Sequence, residues 1–526
     1  MRAKFRQNVP LAPLPLIGPG FRGLNTELSS TIGITDPTWA LALQNAVFDE
    51  KGRVGLRKGY TVLTGTAMSG TPTVRAVFEW LREDGTASLL AATDSKLWVS
   101  TNSGDTWSDI TGSISFSAGR VKFASLNNKV YATTAGQKVW VYTGSGTFTE
   151  IATSPVTRGV LIAAYGRLWA AQDGTSSVYY TALLDGSDWT GTDSGSLDLA
   201  KVWTLGTDNI VAMAGFGAAF VVFGRRHILI YVDGAGSEVG IDPTNMYITD
   251  TIEGTGAVAR DTVVSIGEGD LWFLSPLGLQ SLSRVIQEKN NPIVDLSRNV
   301  RSLVRSLIAA HTGSADELGA VFSAENQFAL FMFPASSRVL MVDTRTAMED
   351  GTYRFAEWRS LPYHAIEVSA LDGTIWFGLA GGKIAKYGGY RDDSSGAATS
   401  YSIVYASPWL DGGPEAHNRL KVLKEMSLRL YGRETLTGTL RWGVDYKPLD
   451  YSQAFTSDYT AEGGEWGVGE WGEAEFGTGL RLRNECIAMG QEGQYVQVYL
   501  TIASTDVADI LSIQELVLYL KMGTYV

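Results

Sequence analysis

Four histidines are available for metal ligation or proton transfer, His227, His311, His364 and His417, and they are scattered without His-x-x-x-His or Glu-x-x-His spacing. Each reads as a surface or satisfied loop histidine, so no metal site is expected. Cys486 is the single cysteine, which excludes an intramolecular disulfide and a cysteine-based zinc site. The 55 Asp and Glu residues leave glycoside hydrolysis by two carboxylates open, although no pair stands out. No Gly-x-Ser-x-Gly elbow or phosphate loop occurs. Gly467-Val468-Gly469-Glu470-Trp471-Gly472 spells a dinucleotide fingerprint, but no apolar strand precedes it and the carboxylates around it would repel a pyrophosphate. The expectation is a chain without a catalytic centre, a cofactor or a metal, and therefore not an enzyme.

Two stretches carry unusual side chains. The first contains Glu462, Glu465, Trp466, Glu470, Trp471, Glu473 and Glu475 among glycines, without Lys or Arg. It is either an acidic loop between strands or a contact and channel-lining element, in which Trp supplies anchoring area and the carboxylates repel another polyanion. The second is the run Ser100 to Trp107, which matches the Asp-box pattern of sialidase-like propellers, with Asn102 at the acidic position. In that pattern Ser100, Asn102, Gly104 and Thr106 close a hairpin and Trp107 plugs between strands, a structural role. A sialidase would also need an arginine cluster and a Tyr/Glu pair, and Arg225-Arg226 is the only adjacent arginine pair.

The elements that must position these residues show as a recurring phrase, a turn of Asp, Asn or Gly followed by a bulky apolar residue and usually Trp or Tyr. Its copies end at Trp98, Tyr131, Trp169, Val221, Trp272, Ala329 and Trp376, at spacings of 33, 38, 52, 51, 57 and 47 residues. The copies ending at Val221 and Ala329 are weak. Four-stranded propeller blades need roughly 40 to 50 residues, so the phrase predicts blade hairpins. One or two long β-sandwiches would also punctuate at such intervals, but the repeated Leu/Ile-Trp favours the propeller. The predicted fold is all-β: an irregular six- or seven-bladed β-propeller over 66–398, with a C-terminal antiparallel β-sandwich over 399–526. One inserted helix is predicted at about 295–312, from apolar Val300, Leu303, Val304, Leu307 and Ile308, with Ser297 as its N-cap. Residues 1–65 read as an extended, Pro/Gly-rich N-terminal arm leading into the first strands.

Composition narrows the function. The chain has 526 residues and 59 glycines, and 43 Lys and Arg against 55 Asp and Glu give a net charge of −12. A broadly basic phosphate-binding surface is thereby disfavoured. Neither a signal peptide nor an apolar run long enough to cross a membrane is read, which points to synthesis and assembly in a reducing cytoplasm.

The opening of the chain carries a further signature: Gly23-Leu24-Asn25, then Ala40 to Asn45, then Asp49-Glu50-Lys51-Gly52, and Leu56-Arg57-Lys58-Gly59-Tyr60. It resembles the opening of the tail nozzle or hub proteins (tail tubular B-like) of short-tailed bacteriophages. The layout of arm, irregular propeller, helix after Pro292-Ile293 and C-terminal β-domain is similar as well. The resemblance implies a virion structural protein of the tail, six copies of which form a tube below the adaptor, or head-to-tail connector ring. That tube would anchor fibres or spikes and conduct DNA during genome ejection without binding it. It also implies that the Pro-rich residues 8–20 dock on a neighbour. The alternative is a carbohydrate-binding or glycan-hydrolysing propeller, such as a tail receptor-binding or sialidase-like protein.

Overall fold

The structure, a computed structural model, describes residues 12–28, 36, 38–49, 53–63, 67–117, 119–203, 207–234, 241–267, 269–288, 295–393, 398–412, 416–417, 419–432, 435–447, 449–457, 481–504 and 511–525. The glutamate- and tryptophan-rich stretch from Glu462 to Glu475 lies outside them.

The chain forms a β-propeller and a β-sandwich. Blade 1 runs from Ala76–Leu81 through Ala87–Ala92 and Leu97–Ser100 to Ser108–Asp109, and blade 2 from Lys122–Leu126 through Lys129–Thr133 and Trp140–Tyr142 to Thr149–Glu150. Blade 3 begins at Thr157–Ala164, blade 4 at Ala212–Phe216 and blade 6 at Gly319–Ser323, each with four antiparallel strands in sequence. Blade 7 takes Ala365–Val368, Ile375–Gly378 and Ile384–Tyr387 from late in the chain and its outer strand, Tyr60–Val62, from the beginning. These six blades have four strands each, with Ala135–Gln137 added beside the first strand of blade 3 and the last strand of blade 6, Arg354–Arg359, pairing on to Ala42–Gln44. Among the described residues a sheet between blades 4 and 6, Val263–Ile266, Asp270–Ser275 and Gly278–Ser281, has three strands and is called blade 5. Neighbouring first strands line the axis, and blade 7 packs back on blade 1.

Six of the seven copies of the phrase are the turn between the first and second strands of their sheet, both weak copies among them, whereas the copy ending at Trp98 is the turn between the second and third strands of blade 1. Asn127 and Asn128 lie at φ +47° and +57°, and Tyr165 and Gly166 at +54° and +74°. That pair of left-handed residues matches the twist of a two-residue hairpin. Where the turn joins a first and a second strand, the bulky residue after it packs against the next blade. Trp169 of blade 3 meets Phe220 of blade 4 at 4.3 Å between ring centroids, and Phe223 of blade 4 meets Phe273 of blade 5 at 5.2 Å. Trp98 of blade 1 and Trp376 of blade 7 share one buried cluster. Burying such a side chain contributes about 1.5–3 kcal/mol, and a blade gains it only by having a neighbour.

The sandwich is built from both ends of the chain. One sheet orders Arg481–Ala488, Arg419–Gly432, Ser512–Tyr525, Val54–Leu56 and Ala46–Phe48; the other orders Ala42–Gln44, Ser402–Ala406, Val496–Ala503, Leu436–Val444 and Tyr451–Ser457. Burial along Val496–Ala503 alternates, as a strand with one face on a core requires. Residues of both sheets and of blade 6 belong to one core cluster. Ala12–Ile17, within the segment expected to reach a neighbouring copy, pairs instead with Ser512–Tyr525 of its own chain. It lies at an edge, where Pro13 and Pro15 remove no ladder donor from a central strand.

Among the described residues two α-helices occur where one was expected. Helix α1, Leu282–Glu288, follows blade 5 directly; helix α2, Arg301–Ala309, buries Val304 and Leu307. Ser297 does not cap α2. Val300 holds that position, and Ser297 Oγ accepts instead from Leu279 N at 2.9 Å, tying the helical insertion to blade 5.

Candidate functional site

The densest chemistry lies on the propeller axis, assembled from residues at or just before the first strands. Arg75 precedes blade 1, Arg120 precedes blade 2, Arg158 stands in blade 3, Arg260 precedes blade 5 and His364 precedes blade 7. With Asp316 and Glu317 before blade 6 they line a funnel of about 370 Å³. Deeper on the axis a second space of about 150 Å³ is lined by Arg120, Lys122, Asp261 and Glu367.

These charges brace the ring across its centre. Asp261 receives Lys122 Nζ at 2.7 Å, Arg260 Nε at 3.0 Å and Arg120 Nε at 3.4 Å. Arg120 also donates to the carbonyls of Glu317 and Leu318, at 3.0 and 2.8 Å, and Arg260 to those of Gly159 and Arg120. Arg75 pairs with Asp94 and, at 3.3 Å, with Glu317. Burial alone would raise the Asp261 carboxyl, but Arg260, Lys122 and Arg120 hold it well below the usual carboxylate range. Burial, with Arg75 adding to it, lowers His364, so the imidazole is neutral at pH 7.

Glu367 behaves oppositely. Burial pushes its carboxyl up to about 7, Asp261 and Glu79 add to the rise, and Lys122 and Arg120 oppose it. Unfolded, it would titrate near about 4.3. The folded chain therefore holds more protons between those values, and this group's contribution to stability falls as pH rises from about 4.5 to 7. Glu367→Gln is expected to remove that slope and to stabilise the protein at pH 8 by up to about 3 kcal/mol. Urea midpoints at pH 5 and pH 8 test it; a variant that keeps the wild-type slope would show that the slope comes from elsewhere.

A second cluster lies where propeller, sandwich and chain opening meet. Arg57, 1% exposed, donates to both carboxylate oxygens of Asp392, at 2.9 and 2.6 Å, to Asn45 Oδ1 at 3.1 Å and to its neighbour's carbonyl, Lys58 O, at 2.9 Å. Its guanidinium stacks over Tyr401 at 3.8 Å. Asn45 sits at φ +53° and its amide donates to Ser402 O at 2.9 Å, while its Oδ1 also accepts from Arg359 N at 3.1 Å. A Cβ on Gly59 would lie 2.0 Å from Arg391 O, so no other residue fits there.

The run from Ser100 to Trp107 is a locally hydrogen-bonded turn. Ser100 Oγ donates to Asn102 Oδ1 at 2.8 Å and accepts from Gly104 N at 2.8 Å. Asn102 Oδ1 also accepts from Thr106 N at 3.0 Å, and its amide reaches Thr106 Oγ1 at 2.9 Å. Trp107 Nε1 donates to Gly104 O at 3.1 Å. Asn102→Ala is expected to cost about 1 kcal/mol, since it removes exposed hydrogen bonds and little packing; a loss above about 3 kcal/mol in urea unfolding would contradict a purely local role.

The remaining sequence candidates are spread apart. His227 is buried with Nδ1 2.9 Å from Asp208 Oδ2, and the Arg225-Arg226 pair gives that carboxylate two backbone N–H groups. His311 is buried between Leu307 O and Ala335 N. His417 meets Asp411 at 3.0 Å. Cys486 is exposed. Among the described residues no group of His, Cys, Asp and Glu could hold a metal ion, and no helix is long and apolar enough to cross a membrane. Sequence reasoning looked for arginines side by side and missed those of the funnel. Their signal was positional, a charged residue at or just ahead of a blade's first strand.

Fold and axis together define a β-propeller protein whose centre is cross-braced by ions and whose ring is closed by a strand from the chain's opening. No family model and no curated protein matches the sequence. Among solved structures the chain is similar to YCF48 from Cyanidioschyzon merolae, at 12% sequence identity and a TM-score of 0.36, over 62% of this chain and 98% of that one.

Proposed function

We propose that this chain is a structural subunit of the tail nozzle of a short-tailed bacteriophage, with six copies forming a tube below the adaptor ring. The observation that carries the reading is where the signature residues sit. Gly23–Leu24 pairs with Trp39–Ala40, Asn25 N donates to Ala40 O, and Asn45, Arg57 and Gly59 form the buried joint between sandwich and blade 7. The residues that suggested the family are thus those that weld propeller and sandwich into one body, as a load-transmitting ring subunit requires. A funnel of about 370 Å³ floored by ion pairs passes no duplex, so the conduit of a nozzle would lie between copies rather than along a propeller axis. The net charge of −12 suits a wall that DNA slides past.

Electron microscopy and native mass spectrometry of the chain mixed with its adaptor ring test this. Sixfold rings are expected. A chain that stays monomeric with the adaptor and is absent from purified virions would overturn the proposal. The Asp-box run favours a second reading, a carbohydrate-binding or glycan-hydrolysing propeller, and a glycan array with a hydrolysis screen on host surface polysaccharide decides between them.

A further inference from the structure

We infer that the axial funnel is a binding site for a small oxyanion, a molecule carrying carboxylate or phosphate groups, held by Arg75, Arg158, Arg120 and Arg260. The inference is independent of the nozzle reading. Four guanidiniums from four blades line the cavity against two carboxylates, Asp316 and Glu317, with His364 beside them. Among the described residues, fewer acceptors meet these arginines than the arginines have donors. A guanidinium carries five N–H groups; Arg158 meets Asn209 Oδ1 at 3.2 Å, and Arg75 meets Asp94 and Glu317.

The four arginines divide into two kinds. Arg120 and Arg260, with side chains 9% and 7% exposed, are fixed by Asp261 and by backbone carbonyls, so they act as a rigid floor of positive charge. Burial lowers the affinity of Arg120 for its proton, and Arg260 adds to this while Asp261 opposes it, so an anion in the funnel would relieve a repulsion that the fold retains. Arg75 and Arg158 are half-buried and stand at the funnel wall. Planar guanidiniums match carboxylate and phosphate oxygens in paired, charge-assisted hydrogen bonds. A volume of about 370 Å³ is at the small end of ligand sites, which admits a sugar acid, a tricarboxylate or a pyrophosphate and excludes a polymer.

The test is isothermal titration of the full chain at low ionic strength with pyrophosphate and, separately, with citrate. Saturable binding with a Kd below about 1 mM is expected for at least one, and the tighter of the two tells whether phosphate or carboxylate is the natural head group. Arg158→Ala should weaken that binding at least tenfold while leaving the urea midpoint unchanged, since Arg158 braces no other charge. Arg305→Ala, on the exposed side of α2, should leave it intact. Absence of binding by either anion at 10 mM, or equal affinity in Arg158→Ala and wild type, would overturn the inference.

Discussion

Arg57→Met is expected to destabilise the folded chain by about 3–5 kcal/mol, the cost of breaking a buried ion pair by removing one partner. The substitution keeps an apolar stem of similar length, so the loss isolates the guanidinium. Asp392 would be left buried without its bidentate partner, and Asn45 without the Nε it accepts from. The two residues belong to different parts. Asp392 pairs along the backbone with Tyr60, beside the strand that closes blade 7, whereas Asn45 links two sandwich strands and anchors Ser402. The damage should therefore show as loss of coupling as well as of stability. Urea unfolding followed by tryptophan fluorescence and far-ultraviolet circular dichroism should give one transition in the wild type and separated transitions in Arg57→Met. Arg57→Lys should recover little, because an ammonium cannot span both oxygens of Asp392 and reach Asn45 at once. The pair Arg57→Met with Asp392→Leu should recover part of the loss, because neither charge then remains unpaired. A single-variant cost below about 1 kcal/mol would mean that the joint is held by packing alone.

The turn chemistry was legible because it is local. A hairpin turn is specified by the few residues in it, so Asn127-Asn128, Tyr165-Gly166 and Asp372-Gly373 announced their blades. The copy around Gly217 looked weak only because Phe220 stands one place before the usual Trp. In the fold Val221 takes the Trp position and packs toward blade 5, while Phe220, on the other face, receives Trp169 of blade 3. The three-stranded blade 5 was not legible, since its phrase at Trp272 is as clear as any and nothing in it tells how many strands follow. Ring closure by Tyr60–Val62 and the sandwich strands from the chain's opening rest on pairings between distant segments, which no window of sequence contains. Ser297 shows the converse error. Its position suits an N-cap, but a distant donor, Leu279 N, competes for the same oxygen and wins. The axial charges were hidden for both reasons: each is an ordinary surface-looking Arg or Asp in its own segment, and only the closed ring makes them neighbours.

Asp261→Asn is expected to match Arg57→Met in severity, at about 3–5 kcal/mol, by a different route. Here the anion is removed and three cations, Arg120, Lys122 and Arg260, are left facing one another across the axis. The amide keeps one accepting oxygen where Asp261 offers two, Oδ1 to Lys122 and Oδ2 to Arg260 and Arg120, so the substitution removes the charge together with one accepting position. Two readouts separate this from general loosening of the ring. The first is pH. Asp261 has a depressed carboxyl, so its contribution is present above the unfolded value of about 3.9 and lost only as pH falls through the folded value. Wild type should therefore keep it throughout the neutral range, and the deficit of the variant should narrow only in acid. The second readout is Glu367. Asp261 is one of the groups that raise its carboxyl, while Lys122 and Arg120 lower it. With Asp261 neutral, those cations act unopposed, Glu367 ionises nearer its ordinary range, and the decline of stability between about pH 4.5 and 7 should shrink. Urea midpoints across pH 2 to 8 measure both effects together. A variant that loses stability uniformly, with the wild-type pH profile merely displaced, would show that Asp261 acts as a structural acceptor and that the axial charges are not coupled.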